Sequence, residues 1–220
     1  MRRVRRAAGG LVALAMALAA PDVRAEGERP ETSHWVWAGL GMAIPTYFIG
    51  VAVHEGSHAL AAESVGADVI ELHLLPGVRH GKFYFGYVRV TGLESTAERV
   101  FFLTAPKLVD VTLLGSYAAL VLTDTTPDNH YGRLALAVLA TGFWVDFSKD
   151  IPAFWKHSDI VKVYDHIGAT SELRRLPLRL IHAGLSAGAA YAIVRGYQDV
   201  FGDQSEPGAA LVLPLLAGSF

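Results

Sequence analysis

Two histidines one helical turn apart, with a glutamate between them, are the residues of this chain that point most directly to chemistry. They lie in the run His54-Glu55-Gly56-Ser57-His58. On a helix, residues i and i+4 share one face, so the imidazoles of His54 and His58 can bind one metal ion. Glu55 then lies beside the ion, where its carboxylate can take a proton from a metal-activated water molecule. The spacing predicts a zinc hydrolase core, with His54 and His58 as metal ligands and Glu55 as the catalytic residue.

This motif follows an uncharged apolar segment. Residues 35–53 contain no Asp, Glu, Lys or Arg, and they lead directly into His54. Ionisable side chains at membrane depth are costly unless they pair with one another or bind an ion. The position of the motif therefore favours metal binding over a chance match.

The composition indicates a membrane protein and restricts the possible metal ligands. Of the 220 residues, 52% are hydrophobic and 18% are charged, whereas soluble domains carry about 25% charged residues. The net charge of -2 indicates no nucleic-acid partner. Because the chain has no cysteine, disulfides and thiolate zinc sites are excluded, and any metal must be held by histidine and carboxylate.

The N-terminus has the pattern of a targeting segment. Basic residues at 2–6 precede a short apolar run at 7–20, and Val23-Arg24-Ala25 fits a cleavage site. We therefore predict a signal peptide or an uncleaved anchor at 1–25. The rest divides into a polar linker at 26–33, a membrane-embedded metalloprotease-like domain at 34–200 and an apolar C-terminal tail at 201–220.

Apolar runs elsewhere predict a membrane α-helical fold, with about four to five transmembrane helices. The candidate segments are 35–65, 100–122, 134–145 and 178–194. Between the first two, β-branched and aromatic residues at 69–75 and 82–90 flank the turn Pro76-Gly77. This pattern predicts a small β-sheet inserted after the metal-binding helix, whose edge could hold an extended substrate.

A catalytic zinc usually has three protein ligands and one open position, so a third ligand is needed. Four aspartates near the apolar segments could supply it: Asp110, Asp146, Asp150 and Asp159. Each also has a structural explanation. Asp110 is spaced to pair with Lys107. Asp146 and Asp150 could be interfacial charges or partners of Lys149 and Lys156. Ser158-Asp159 could be a helix N-cap. Spacing alone does not choose among them.

The stretch from His54 to Gly77, HEGSHALAAESVGADVIELHLLPG, resembles the site-2 protease family of intramembrane zinc metalloproteases. Leu103-Thr104-Ala105-Pro106 is similar to the entrance of that family's next membrane helix. Ile151-Pro152 followed by Ser158-Asp159 is similar to its later motif, whose aspartate is the third zinc ligand. The resemblance covers about residues 34–168. It departs at Ser57 and Ile160, where the family has glycines, and near Lys149, where it has asparagine.

This resemblance implies a zinc-dependent intramembrane peptidase in which His54, His58 and Asp159 hold Zn2+ and Glu55 is the acid and base. The implied substrate is a membrane protein or peptide, the implied surroundings are a lipid bilayer, and the expected location is the bacterial inner membrane. Oligomeric state is left open.

Two alternatives remain. The first is a soluble or peripheral zinc protease with Glu94 or Glu98 as third ligand, against which the uncharged 35–53 segment argues. The second is a catalytically degenerate membrane protein that binds metal or acts as a scaffold for partners.

Overall fold

The structure, a computed structural model, describes residues 32–79, 81–156 and 158–201. Within these ranges the protein is mostly helical and carries small antiparallel sheets, which confirms the predicted fold in this coarse form. The elements in chain order are α1 (Thr32–Ser64), β1 (Asp68–His73), β2 (Gly77–Arg79), β3 (Lys82–Tyr84), β4 (Tyr87–Thr91), α2 (Thr96–Leu122), α3 (His130–Ser148), α4 (Asp159–His166) and α5 (Glu172–Phe201). The predicted N-terminal segment at 1–25 and nearly all of the predicted tail lie outside the described residues.

Helix α1 carries the metal motif near its C-terminal end. Its apolar side chains surround the helix and do not form a single stripe, a pattern found in helices that are buried or lie in a membrane. Only 6% of its most apolar 18-residue window is buried by the rest of the protein. The helix ends before Gly66, whose φ of 83° is the left-handed conformation common after a helix C-terminus.

The chain then forms two nested antiparallel pairs. Strand β1 pairs with β4 from Asp68↔Thr91 to His73↔Tyr87, with an irregularity between Val69 and Glu71. Strands β2 and β3, which lie between β1 and β4 in the chain, pair with each other and form the tip of the sheet region. The small sheet predicted after the metal helix is therefore present, although its longer aromatic strand is interrupted before Tyr87.

Helices α2, α3 and α5 pack with α1 around a shared apolar core. Helix α2 starts at a capping box, in which Ser95 accepts a hydrogen bond from the Glu98 N–H and the Glu98 carboxylate accepts from Ser95. Helices α2 and α5 approach closely at Gly196, where a β-carbon would collide with the Tyr117 hydroxyl. Both α2 and α3 contact α1 at the motif, where Phe102 meets His58 and Asp146 meets His54.

Two helices are long and apolar enough to cross a membrane: residues Ser33–Ser64 of α1 and Thr96–Leu122 of α2. A core helix of a soluble protein or a signal sequence would meet the same criteria. The third and fourth predicted segments are helical, in α3 and α5, but no further helix among the described residues meets these criteria. The predicted count of four to five spans is therefore not confirmed.

Candidate metal centre

His54 and His58 lie on one face of α1, as their spacing predicts. Their ring centroids are 5.2 Å apart. His58 is buried and His54 is half-buried. The helix therefore presents two imidazoles to the same space between α1 and its neighbours.

Asp159 joins the two histidines from the first residue of α4. One ligand atom from each of His54, His58 and Asp159 lies within 4.8 Å of the other two, so this cluster could hold a metal ion. The shortest separation described within it is 3.2 Å, between His58 Nε2 and Asp159 Oδ2. Two ligand atoms bound to one tetrahedral zinc ion lie about 3.3 Å apart.

Hydrogen bonds to the other ring nitrogens decide which nitrogen of each histidine is available. His54 Nδ1 lies 2.9 Å from Asp146 Oδ2, and His58 Nδ1 lies 2.7 Å from the carbonyl oxygen of Phe102. An ionised carboxylate and a carbonyl can only accept, so each Nδ1 carries the hydrogen. Nε2 of each ring is therefore the nitrogen available to a metal ion, as in metal-bound histidines whose other nitrogen donates to an outer-shell partner.

The donor set fits a cation. Without one, the Nε2 lone pair of neutral His58 would face an anionic oxygen of Asp159, and only a proton or a metal ion between them makes that contact favourable. Two imidazoles and one carboxylate suit Zn2+, although other divalent transition metals use the same ligands.

Asp159 is an anion at neutral pH. Burial alone would raise the pKa of its carboxyl group, but in the metal-free site a protonated His58, which donates from Nε2, and the nearby Lys162 ammonium hold that pKa well below its usual range. Lys162 Nζ lies 2.7 Å from Asp159 Oδ1, which leaves Oδ2 directed to His58. Oδ2 is thus the Asp159 oxygen that faces the two histidines.

The remaining three candidate aspartates surround a single buried lysine. Lys107 Nζ lies 2.9 Å from Asp150, 3.1 Å from Asp146 Oδ2 and 3.4 Å from Asp110. It also donates to the Asp146 carbonyl oxygen at 2.6 Å. The predicted pairing of Asp110 with Lys107 is present, and Asp146 pairs with Lys149 as well. These carboxylates belong to an ion-pair network beside the metal cluster.

This network touches both sides of the cluster. Asp146 holds His54, and Asp150 accepts a hydrogen bond from the Ser158 hydroxyl at 3.0 Å, directly before Asp159. The Ser158 side chain therefore bonds to Asp150 and makes no capping hydrogen bond to α4. Lys107 links the two carboxylates electrostatically.

Helix α5 holds the connector between α3 and α4, which carries Asp159 into place. Arg179 donates to the carbonyl oxygens of Ile151 and Ala153, and His182 Nε2 lies 2.9 Å from the carbonyl oxygen of Phe147. Further along, Arg175 donates to the carbonyl oxygen of Ala169 at 2.8 Å. The two buried arginines thus donate to backbone carbonyls of residues that lie outside the helices and strands.

Glu55 lines a cavity of about 550 Å³ together with His54. Side chains from α1, α3, the sheet tip and the connector form its walls, most of them apolar or aromatic. Representative lining residues are Val51, Phe83, Phe85, Val138, Lys149 and Trp155. The cavity is large enough for several side chains of a peptide.

Gly86 allows the sheet to lie against the glutamate. A β-carbon at this position would lie 2.6 Å from Val51 Cγ1, 2.9 Å from Glu55 Cγ and 3.0 Å from the carbonyl oxygen of His73. The segment before β4 therefore approaches α1 more closely than any residue with a side chain permits.

Sequence reasoning did not find the Phe102 carbonyl or the two α5 arginines, because no spacing rule connects them to the motif. The spacing predicted that Lys107 pairs with Asp110, but it did not predict the contacts of Lys107 with Asp146 and Asp150. The proposed alternative ligand Glu98 accepts hydrogen bonds at the start of its own helix. Neither Glu98 nor Glu94 joins a metal-binding cluster among the described residues.

Comparison with models of known protein families, with curated proteins and with solved structures finds no match for this chain.

Proposed function

We propose that this protein is a zinc-dependent intramembrane peptidase. The observation that carries the proposal is the His54–His58–Asp159 cluster beside a cavity that Glu55 also lines. Hydrolytic zinc sites combine three protein ligands of these kinds with a nearby general base. The metal, its identity as zinc and the peptidase activity are all parts of this proposal.

In this account His54, His58 and Asp159 hold the ion through two nitrogens and one carboxylate oxygen. Zinc, when bound there, supplies a Lewis acid that activates water and polarises a peptide carbonyl. Asp146 and the Phe102 carbonyl keep the two imidazoles in the required tautomer.

Glu55 moves the proton. Its carboxylate accepts a proton from the attacking water as the new carbon–oxygen bond forms, and then donates it to the leaving amide nitrogen as the carbon–nitrogen bond breaks. The apolar walls of the cavity limit access of bulk water and receive the side chains next to the cleaved bond. The substrate in this proposal is a membrane protein or peptide.

Exposed apolar surface supports a location in the lipid bilayer. On α1 alone, Trp37 is 72% exposed, Ile44 is 65% exposed and Leu60 is 64% exposed. Large apolar side chains exposed along one long helix of high hydropathy are expected of a helix that faces lipid. Location in the bacterial inner membrane stays a prediction.

Replacing Glu55 with glutamine tests the peptidase proposal. We expect Glu55→Gln to abolish cleavage of tagged single-span membrane proteins co-reconstituted in proteoliposomes, while the zinc content stays that of the wild type. Glu63→Gln is the control, because Glu63 is an exposed carboxylate on the same helix. Undiminished cleavage by Glu55→Gln would refute the assigned role. A zinc-loaded wild type that cleaves none of the proteins would favour the degenerate, metal-binding alternative.

A further inference from the structure

Helix α2 contains a proline four residues after the residue whose carbonyl contacts His58. In an α-helix the N–H of residue i bonds to the carbonyl of residue i−4, so an ordinary residue at position 106 would donate to Phe102. Pro106 has no N–H to donate. The Phe102 carbonyl therefore lacks its intrahelical donor.

His58 takes the place of that donor. Its Nδ1 lies 2.7 Å from the Phe102 carbonyl oxygen, and its ring packs against the Phe102 ring with centroids 4.6 Å apart. Both His58 and Pro106 are buried. In such surroundings a carbonyl without a donor is costly, and so is an imidazole N–H without an acceptor. One hydrogen bond satisfies both groups.

We infer that Pro106 is a positioning residue of the metal centre: by withholding an N–H from Phe102, it reserves that carbonyl for His58 Nδ1–H. The hydrogen bond fixes the tautomer and tilt of the ring, so that Nε2 faces Asp159. The inference rests on the proposed metal site. It adds the Phe102 carbonyl of α2 to the proposed site, and it assigns control of that carbonyl to Pro106, which lies outside the HEGSH motif.

The chain offers a matched control in a second helix. Pro177 also lies inside a helix, α5, and deprives the carbonyl of Leu173 of its donor. No described side chain donates a hydrogen bond to that carbonyl, and both Pro177 and Leu173 are exposed. Pro177→Ala thus restores a helical N–H away from the metal cluster.

The test measures zinc affinity of the full chain in detergent, by competition with a chelator. Pro106→Ala supplies an N–H that competes for the Phe102 carbonyl, and we expect zinc to bind about 10- to 100-fold more weakly, the usual cost of losing an outer-shell partner. Pro177→Ala should bind zinc as the wild type does. Val121→Ala is a buried change of similar size in the same helix, and it serves as the control for packing lost in Pro106→Ala. Equal zinc affinity in Pro106→Ala and the wild type would overturn the inference.

Nitrogen NMR of the His58 ring in the zinc-free wild type gives a second test that requires no variant. We expect a proton on Nδ1, whether or not Nε2 also carries one. A ring protonated on Nε2 alone would overturn the inference, even if Pro106→Ala failed to fold. If the wild type bound no zinc, the proposed metal site and this inference would fail together. Zinc binding unaffected by Pro106→Ala would remove only the role of Pro106.

Discussion

The carboxylate of Asp146 lies 2.9 Å from Nδ1 of His54, which leaves Nε2 as the ring nitrogen available to a metal ion. This contact distinguishes Asp146 from Asp159, which the sequence alone left as rival third ligands. Asp146 orients the His54 ring, whereas Asp159 offers an oxygen to the cluster itself.

Asp146→Asn should weaken zinc binding without removing the site. An asparagine oxygen can still accept from His54 Nδ1–H, but the loss of charge lowers the basicity of the ring, and outer-shell changes of this kind typically cost about 10- to 100-fold in affinity. Chelator competition on the purified protein measures the effect. An Asp146→Asn protein that holds no zinc at all, even with excess metal, would instead make Asp146 a ligand.

Gly86→Ala should impair catalysis while zinc remains bound. The added methyl group would come within 2.9 Å of Glu55 Cγ and 2.6 Å of Val51, so either the glutamate or the sheet must move. We expect a lower rate of peptide cleavage with unchanged zinc content. The control is Gly77→Ala in β2, where no atom lies within 4 Å of the added β-carbon. Equal loss of activity in both variants would argue against a specific contact at Gly86.

Lys107→Met should destabilise the fold strongly. Removing the cation leaves the carboxylates of Asp110, Asp146 and Asp150 together in a buried site, and breaking a buried ion pair in this way costs about 3 kcal/mol or more of the free energy of unfolding. Thermal unfolding in detergent provides the comparison, with Lys156→Met as the control because Lys156 is exposed. A Lys107→Met protein as stable as this control would mean that the network contributes little.

The sequence predicts the motif and its helix well because both depend on local spacing. His54 and His58 share a face for the reason that any i, i+4 pair does, and the uncharged run before them forms one long helix. The turn at Pro76-Gly77 and its flanking aromatic residues likewise predict the small sheet.

The rest of the site depends on packing between distant segments. Asp159 reaches the histidines only because the connector after α3 folds back, held by Arg179 from α5. No local rule relates position 179 to position 159, so the choice among the aspartates stayed open. The number of membrane spans is similarly ambiguous, because α5 combines small apolar residues with buried arginines that bind backbone carbonyls.

The central claim is that His54, His58 and Asp159 form a zinc site, and zinc content of the purified full chain tests it most directly. We expect about one zinc ion per chain in the wild type, loss of that zinc in Asp159→Asn, and its retention in Asp110→Asn, which alters a buried carboxylate outside the cluster. A wild type that binds no zinc when the metal is supplied, or an Asp159→Asn protein that keeps it, would contradict the account.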